Sequence, residues 1–168
     1  MITCLRRFSV VPVSDLDLRE EPYDSPVAQQ LIDAVQQEYV VRYGSPDATP
    51  VDPSEFARPH GRFVVGYLDT LPVAMGGVRR IDGDAVEIKR MYVIPDVRGR
   101  GFSRVVLGHL ELLARELGAT RILLETGPKQ PEAIRLYATS GYERVEGFGH
   151  YKCEPDSVSF GKTLIISQ

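Results

Sequence analysis

The feature that most constrains this chain is a loop of alternating glycines and arginines, RGRGFSR, at residues 98–104. It follows an apolar segment typical of a strand and precedes a run with helical periodicity. A helix start leaves about four backbone N–H groups unpaired and carries about half a positive charge. Glycines let an anion approach those N–H groups, and arginines add forked donors suited to phosphate. The segment therefore predicts a strand–loop–helix unit that cradles a diphosphate.

Two other phosphate-binding loops do not fit this spacing. The G-x-G-x-x-G fingerprint would need glycine where the chain has Arg104, and the Gly-Lys-Ser/Thr triplet of the P-loop is missing. Residues 89–104 carry a local charge of +4, although the chain as a whole carries −3. A charge run is often only a solvated loop, but a local cationic cluster with interleaved glycines on an acidic protein favours a specific anion site.

Length and composition bound the class of protein. The 168 residues suit one domain over residues 1–168, and 43% apolar with 26% charged residues is ordinary for a soluble globular protein. No apolar run approaches the ~20 residues of a membrane span, and the N-terminus lacks a signal-peptide pattern. Cys4 and Cys153 form no disulfide framework, and the few histidines and cysteines lack metal-ligand spacing. We expect a cytoplasmic protein with no metal, membrane or nucleic-acid partner.

The first third of the chain predicts one strand and one helix. The strand is predicted at Arg7–Val13 and is followed by an acidic surface segment, Asp15–Asp24. A helix begins at Ser25-Pro26, since serine is a good N-cap and proline suits the first helical position. It ends at Gly44, and the proline-rich stretch 44–61 is expected to be a long structured loop or to contain one short helix.

The remainder predicts an α+β fold with a mixed sheet. Because Asp82-Gly83-Asp84 is a hairpin turn, the strands around it should form an antiparallel meander. A short apolar strand is expected to run parallel to the last strand of that meander. The predicted elements are strands at Arg62–Leu68, Val73–Ile81 and Ala85–Ile94, a helix at Gly101–Leu117, a strand at Thr120–Glu125, a helix from Gln130 to Gly141, and strands at Tyr142–Val145 and Ser157–Ile165.

The order of these pieces resembles the GNAT superfamily of N-acetyltransferases. RGRGFS at residues 98–103 resembles the family's R/Q-x-x-G-x-G/A signature, with Ser103 at the last small position. The preceding strand, EIKRMYVIP, resembles the family's central strand. PEAIRLYATSGY at residues 131–142 resembles its A-x-x-L-Y-x-x-x-G-F/Y signature, and FGKTL at residues 160–164 its last strand. The match runs over residues 62–164, whereas residues 1–61 match only in layout.

The resemblance implies a GNAT-like fold: a central, mostly antiparallel sheet with a splayed parallel strand pair, flanked by about four helices. It implies an enzyme that transfers an acetyl group from acetyl-CoA to a primary amine by direct attack. The acceptor would be a small molecule or an amino acid, and the charge of −5 on residues 1–60 favours a cationic one. A non-catalytic acyl-CoA-binding regulatory module, a larger assembly contacted by residues 1–61, and a homodimer stay open.

The same resemblance implies which residues hold acetyl-CoA. The backbone of the central strand would pair with the pantetheine arm, and an N–H of Val93 or Met91 would polarise the thioester carbonyl. Gln130 stands where the family often has an asparagine that contacts the cofactor. The predicted cofactor-binding residues are Met91, Tyr92, Val93, Arg98, Gly99, Arg100, Gly101, Phe102, Ser103, Arg104, Gln130 and Tyr137.

Three residues are candidates for proton transfer. Amines with a pKa of ~10 are mostly protonated at pH 7, so a base is useful. Glu87 lies where the histone-acetyltransferase branch of the family carries its base, and strand alternation predicts that it shares a face with Met91 and Val93; a surface carboxylate is the alternative. Glu125, at the end of the neighbouring strand, is the rival base. Tyr137 is the candidate acid for the leaving thiolate, with core packing as its alternative.

Overall fold

A computed structural model describes residues 15–165, so the strand predicted at Arg7–Val13 lies outside the described residues. None of the helices in that part of the chain is long and apolar enough to cross a membrane. The strands are β1 (Asp17–Glu20), β2 (Gly61–Leu68), β3 (Leu71–Asp82), β4 (Ala85–Val93), β5 (Arg121–Thr126), β6 (Glu143–Arg144) and β7 (Val158–Thr163). The α-helices are α1 (Pro26–Tyr43), α2 (Phe102–Glu116) and α3 (Pro131–Ala138), with short 3-10 helices at Pro53–Phe56, Pro95–Val97 and Gly149–Tyr151.

The strands form one seven-stranded sheet in the order β1-β2-β3-β4-β5-β7-β6. Every neighbouring pair is antiparallel except β4 and β5, which run parallel with α2 as the crossover between them. The predicted meander, the parallel pair and the α+β class with a mostly antiparallel sheet are confirmed. Residues 15–165 contain three α-helices, where about four were expected.

The structure adds one strand to the predicted elements and ends one helix earlier, while the proline-rich loop is as predicted. The acidic segment Asp15–Asp24 contains the edge strand β1, which pairs with β2. The sequence pattern does not mark it, because Leu18 is its one apolar residue and most of its side chains are exposed. Helix α3 ends at Ala138, before the predicted end at Gly141. The loop 44–61 holds one short helix as predicted, and its start is closed by a capping box between Asp52 and Glu55.

Two apolar layers enclose the sheet. Helices α2 and α3 cover one face, and α1 with the 3-10 helix at Pro53–Phe56 covers the other. Adjacent glycines in β3 let both layers approach the sheet closely. A Cβ added to Gly76 would lie 2.8 Å from the Leu110 side chain of α2, and one added to Gly77 would lie 2.6 Å from the Phe56 ring.

A β-bulge in β4 positions the site. Arg90 has a left-handed backbone with φ +58. The β3–β4 register steps from Met75↔Tyr92 to Gly77↔Lys89, so that the bulge lies between them. Bulges bend a strand and increase its local twist. Pairing between β4 and β5 stops at Ile88↔Leu124, and the two strands separate beyond that point, leaving the β5-facing edge of β4 open over residues 89–93.

The bulge also reverses the side-chain alternation at the end of β4. Glu87 accepts a hydrogen bond from Arg79. The guanidinium of Arg79 packs over the Phe56 ring on the α1 side of the sheet. Met91 and Val93 instead pack in the layer beneath α2 and α3. The predicted shared face is therefore wrong, because the extra residue in the bulge shifts every later side chain by one position.

Replacing Gly77 tests the close packing on the α1 side. Gly77→Ala should lower the free energy of unfolding by about 1–3 kcal/mol, because its methyl group would overlap the rings of Phe56 and Phe63, at 2.6 and 2.7 Å. The matched control is Gly108→Ala on α2, where no atom lies within 4 Å and alanine favours the helix by about 1 kcal/mol. Urea unfolding followed by circular dichroism measures both, and equal stabilities would contradict the packing.

Candidate functional site

The candidate site lies at the fork where β4 and β5 separate. Two cavities adjoin there, and Gln130 lines both. The first, which we call the loop cleft, has a volume of about 200 Å³ and lies between the open edge of β4, the 98–103 loop, α1 and α3. The second, which we call the tyrosine cavity, has a volume of about 290 Å³ and is bounded by the end of α1, the end of β5 and residues 151–157.

The loop cleft brings together most of the residues predicted to bind a cofactor. Of that set, only Arg100 and Arg104 do not line it, although both belong to the same loop or to the first turn of α2. The predicted residues that line the cleft are Met91, Tyr92, Val93, Arg98, Gly99, Gly101, Phe102, Ser103, Gln130 and Tyr137.

The loop itself has the backbone of an anion cradle. Gly99 and Gly101 are left-handed, with φ +79 and +83, a conformation that other residues adopt at a cost. Gly101 is the N-cap of α2 and provides no side-chain cap. Within the part of the chain that the structure describes, the backbone N–H groups of residues 99–103 have no hydrogen-bond partner. Such N–H groups at the start of a long helix fit a phosphate, so the residues present suit a diphosphate-bearing ligand.

Arg98 holds the loop in place rather than extending into solvent. Its Nε donates to the Val93 carbonyl oxygen at 2.8 Å, and its Nη2 pairs with the Glu38 carboxylate at 2.6 Å. Glu38 also pairs with Arg42 at 2.8 Å. The sequence pattern did not single out Glu38, because a carboxylate on the face of a helix gives no signal of what it meets across the cleft.

The other two arginines of the loop have different surroundings. Arg104 donates to the hydroxyls of Thr139 and Ser140 at the end of α3, each at 2.9 Å. Arg100 lies over the ring of Phe102, 4.7 Å from its centroid, and has no hydrogen bond or ion pair with any residue from 15 to 165. Arg100 is therefore the arginine of the loop whose guanidinium is available to an anion.

Tyr137 combines the two roles considered for it. Its ring packs against Tyr142 with centroids 5.8 Å apart, and its side chain is buried. Its hydroxyl lies in the loop cleft, 3.9 Å from the Met91 sulfur. Burial, with a smaller effect of Tyr39, raises the pKa of Tyr137 above the ordinary value for a phenol. The hydroxyl therefore keeps its proton at neutral pH and can act as a donor.

The two candidate bases lie in different environments. Glu87 is buried and lines neither cavity; Arg79 contacts it at 2.8 Å and Lys89 at 3.4 Å. Glu125 lines the tyrosine cavity, and its Oε1 is buried with no hydrogen-bond partner among residues 15–165. Burial, opposed by the charge of Lys89 and helped by those of Glu87 and Asp47, raises the pKa of Glu125 to about 7. Glu125 has the properties of a base that works near neutral pH.

Most of the tyrosine cavity was missed by sequence reasoning. Tyr39, Tyr43 and Tyr151 form its aromatic walls. Asp47 reaches it from the proline-rich loop and accepts a hydrogen bond from the Tyr151 hydroxyl at 2.7 Å. Burial favours the neutral acid, but the charges of Lys89 and Arg90 and hydrogen bonds from Thr49 outweigh it and hold the pKa of Asp47 well below its usual range. Long loops are often functional, but nothing in the sequence of this one identifies Asp47 as a residue of the cavity.

A partly buried chain of alternating charges reaches this cavity through Lys89 and Asp47. Arg79 pairs with Glu55 at 2.6 Å and with Glu87, which in turn contacts Lys89. Lys89 lies 3.9 Å from Asp47, and Asp47 also pairs with Arg90. Three cations therefore balance three carboxylates, so the chain contributes no net charge to the cavity. Its members are Glu55, Arg79, Glu87, Lys89, Asp47 and Arg90.

In sequence and in fold, this chain is similar to proteins of one family. The model of the acetyltransferase (GNAT) family matches residues 28–142. The IAA acetyltransferase of Azospirillum brasilense is 33% identical over 147 residues, covering 87% of this chain and 95% of the relative. An acetyltransferase of the GNAT family from Staphylococcus aureus superposes with a TM-score of 0.72 at 15% identity, covering 89% of this chain and 99% of the other. A GNAT family acetyltransferase from Elizabethkingia anophelis with acetyl-CoA bound gives 0.65 at 13% identity, covering 90% and 100%.

Proposed function

The chain belongs to the acetyltransferase (GNAT) family, and from that premise we propose that it transfers the acetyl group of acetyl-CoA to the primary amine of a small molecule. One observation carries the proposal. The carboxyl of Glu125, with a pKa of about 7, lines one cavity, and the protonated hydroxyl of Tyr137 lines the cavity that adjoins it. A base on the acceptor side and an acid on the donor side are what direct acyl transfer to an amine requires.

The loop cleft suits acetyl-CoA, which when bound supplies an acetyl group activated as a thioester. The N–H groups of residues 99–103 would take the diphosphate, with Arg100 as the available cation. The open edge of β4 at residues 91–93 would pair with the extended arm, as an added strand does. The Elizabethkingia anophelis relative, solved with acetyl-CoA bound, supports the same ligand here.

The proton-transfer roles follow from the surroundings of each group. In its ionised form Glu125 can take the proton of an amine on Oε1, which has no competing partner among the described residues. Tyr137 holds a proton on its hydroxyl oxygen beside Met91, in the cleft proposed to hold acetyl-CoA, and could donate it to the leaving sulfur. Glu87 has its oxygens occupied by Arg79 and Lys89, so we assign it to holding the buried charges in place rather than to proton transfer.

Free-thiol release from acetyl-CoA across a panel of primary amines tests the activity, and calorimetry tests binding alone. Gly101→Glu should abolish acetyl-CoA binding, because it places bulk and negative charge in the cradle. Gly118→Glu is the matched control, since this glycine is also left-handed, with φ +75, but lies at the far end of α2. Unaltered affinity in Gly101→Glu would contradict the cradle. Binding without thiol release for any amine would favour the regulatory-module alternative.

The identity of the base can be read from the pH dependence of kcat/KM at saturating acetyl-CoA. Because the ionised carboxylate is the active form and its pKa is about 7, log kcat/KM for the wild type should bend at about pH 7 and rise less steeply above it. Glu125→Gln should remove the bend and lower kcat/KM at pH 8 by about 10²-fold or more.

Glu87→Gln is the control for that assignment. It should keep the bend, moved slightly to lower pH, because the charge of Glu87 raises the pKa of Glu125. Thermal unfolding of both variants shows whether they are folded, which matters because removing one partner of a buried ion pair is destabilising. If the bend disappears in Glu87→Gln and persists in Glu125→Gln, then Glu87 is the base and Glu125 is not.

The acid role of Tyr137 predicts a change in kcat alone. Tyr137→Phe should lower kcat by roughly 10²-fold or less and leave the acetyl-CoA Kd nearly unchanged, because the ring still packs against Tyr142. Tyr142→Phe is the matched control, since this buried tyrosine lines neither cavity. Stopped-flow or steady-state thiol release measures both variants, and an unchanged kcat in Tyr137→Phe removes the residue from the mechanism.

A further inference from the structure

The charge of the tyrosine cavity is negative once the balanced pairs are set aside. Lys89 is the one basic residue in its lining, and Glu87 and Asp47 already contact it. The remaining acidic residues of the lining are Glu125, Glu154 and Asp156. None of these three forms an ion pair with any residue in the described range 15–165. A ligand that fills this cavity therefore meets a lining in which acidic residues outnumber basic ones.

Those carboxylates lie at two depths. Glu125 is at the fork, with one oxygen fully buried and unpartnered among the described residues. Glu154 and Asp156 are exposed and belong to the segment that leads into β7 at the outer side of the cavity. The aromatic walls line the space together with both groups. The cavity thus offers one anionic position at the reaction centre and another at its rim.

The aromatic lining suits the same kind of ligand. The ring of Tyr43 makes a cation–π contact within the protein: the exposed ammonium of Lys129 lies 5.7 Å from the ring centroid. Aromatic faces attract ammonium groups, and tyrosines also pack against aliphatic chains. A cavity with tyrosine walls and two anionic positions is therefore complementary to an alkyl chain with nitrogen at both ends.

We propose that the acceptor is an aliphatic amine that carries a second cationic group, a proposal that rests on the acetyltransfer proposed above. The reacting nitrogen binds at Glu125, which takes its proton as the new N–C bond forms and the thioester C–S bond breaks. The second nitrogen stays protonated and binds at the rim, beside Glu154 and Asp156. The proton taken by Glu125 passes to water, the leaving sulfur receives one from Tyr137, and Tyr137 regains a proton from water.

An acceptor with a carboxylate in place of the second cation fits less well. Within the lining, the cation that could receive it is Lys89, whose ammonium is 3.4 Å from Glu87 and 3.9 Å from Asp47. Adding a third anion there would also place negative charge near Glu125. The same charges that a second ammonium would find attractive would repel a carboxylate.

Three acceptors with the same four-carbon chain test the proposal directly: diaminobutane, n-butylamine and γ-aminobutyrate. Thiol release at saturating acetyl-CoA should give the highest kcat/KM for the diamine, by about 10-fold over n-butylamine, and the lowest for γ-aminobutyrate. That ratio exceeds the factor of about two that two equivalent amines contribute by statistics alone. A diamine no better than n-butylamine, or a preference for γ-aminobutyrate, overturns the proposal.

A pair of charge-neutralising variants locates the second cation. The double variant Glu154→Gln/Asp156→Asn should raise the KM for diaminobutane by roughly 3- to 10-fold and leave that for n-butylamine unchanged, because exposed charges are partly screened. The matched control is Asp33→Asn/Glu116→Gln, which removes the same charge from exposed positions on α1 and α2. An equal effect of the control on the diamine KM means that only overall charge matters and refutes the rim position.

The outcomes separate this proposal from the one on which it rests. Turnover of n-butylamine at the rate of the diamine leaves acetyltransfer standing and removes the second cation. Acetyl-CoA binding with no thiol release from any of the three acceptors or from a wider amine panel removes acetyltransfer, and this proposal with it.

Discussion

The interaction between Arg90 and Asp47 is the one on which the site depends. Arg90 has a left-handed backbone, which costs a non-glycine residue roughly 1–2 kcal/mol. Its buried guanidinium pairs with Asp47, which offsets that cost and fixes the proline-rich loop against the sheet. The bulge bends β4 away from β5, and Asp47 bonds Tyr151 across the resulting space. The separation of β4 from β5 and the position of Tyr151 in the tyrosine cavity therefore both depend on the Arg90–Asp47 pair.

The parts of this arrangement that sequence could predict are local. The phosphate loop is a run of consecutive residues whose glycines and following helix are visible in the pattern, and Ser25-Pro26 marks the start of α1 for the same reason. The bulge has no such signature, because its left-handed residue is an arginine rather than a glycine. Asp47 and Tyr151 are 104 positions apart, so no local pattern joins them. The sequence therefore leaves two candidate bases, because only the fold reveals that Glu87 is paired with Arg79 and Lys89 and that Glu125 has no ion pair among the described residues.

Basic residues that are close in the sequence of residues 89–104 do not form one cluster in the structure. The basic residues of 89–104 suggested one cationic patch, yet the fold separates them. Lys89 and Arg90 face carboxylates beneath the tyrosine cavity, whereas Arg98 and Arg104 bond protein groups around the loop. Arg100 alone of the loop arginines has no such partner among the described residues. The prediction of an anion site depends less on the arginines than on the backbone N–H groups between them.

The contrast between Glu87 and Glu125 explains why we propose the carboxylate without an ion pair as the base. To accept a proton, Glu87 would have to give up the charge that balances Arg79 and Lys89, and the cost of leaving those cations unpaired would oppose the transfer. Glu125 has no such contact to lose, and burial already destabilises its ionised form. Protonation of Glu125 by an amine therefore relieves an unfavourable charge rather than creating one. In the proposed reaction, the ion pairs of Glu87 would keep the surrounding charges fixed while Glu125 accepts the proton.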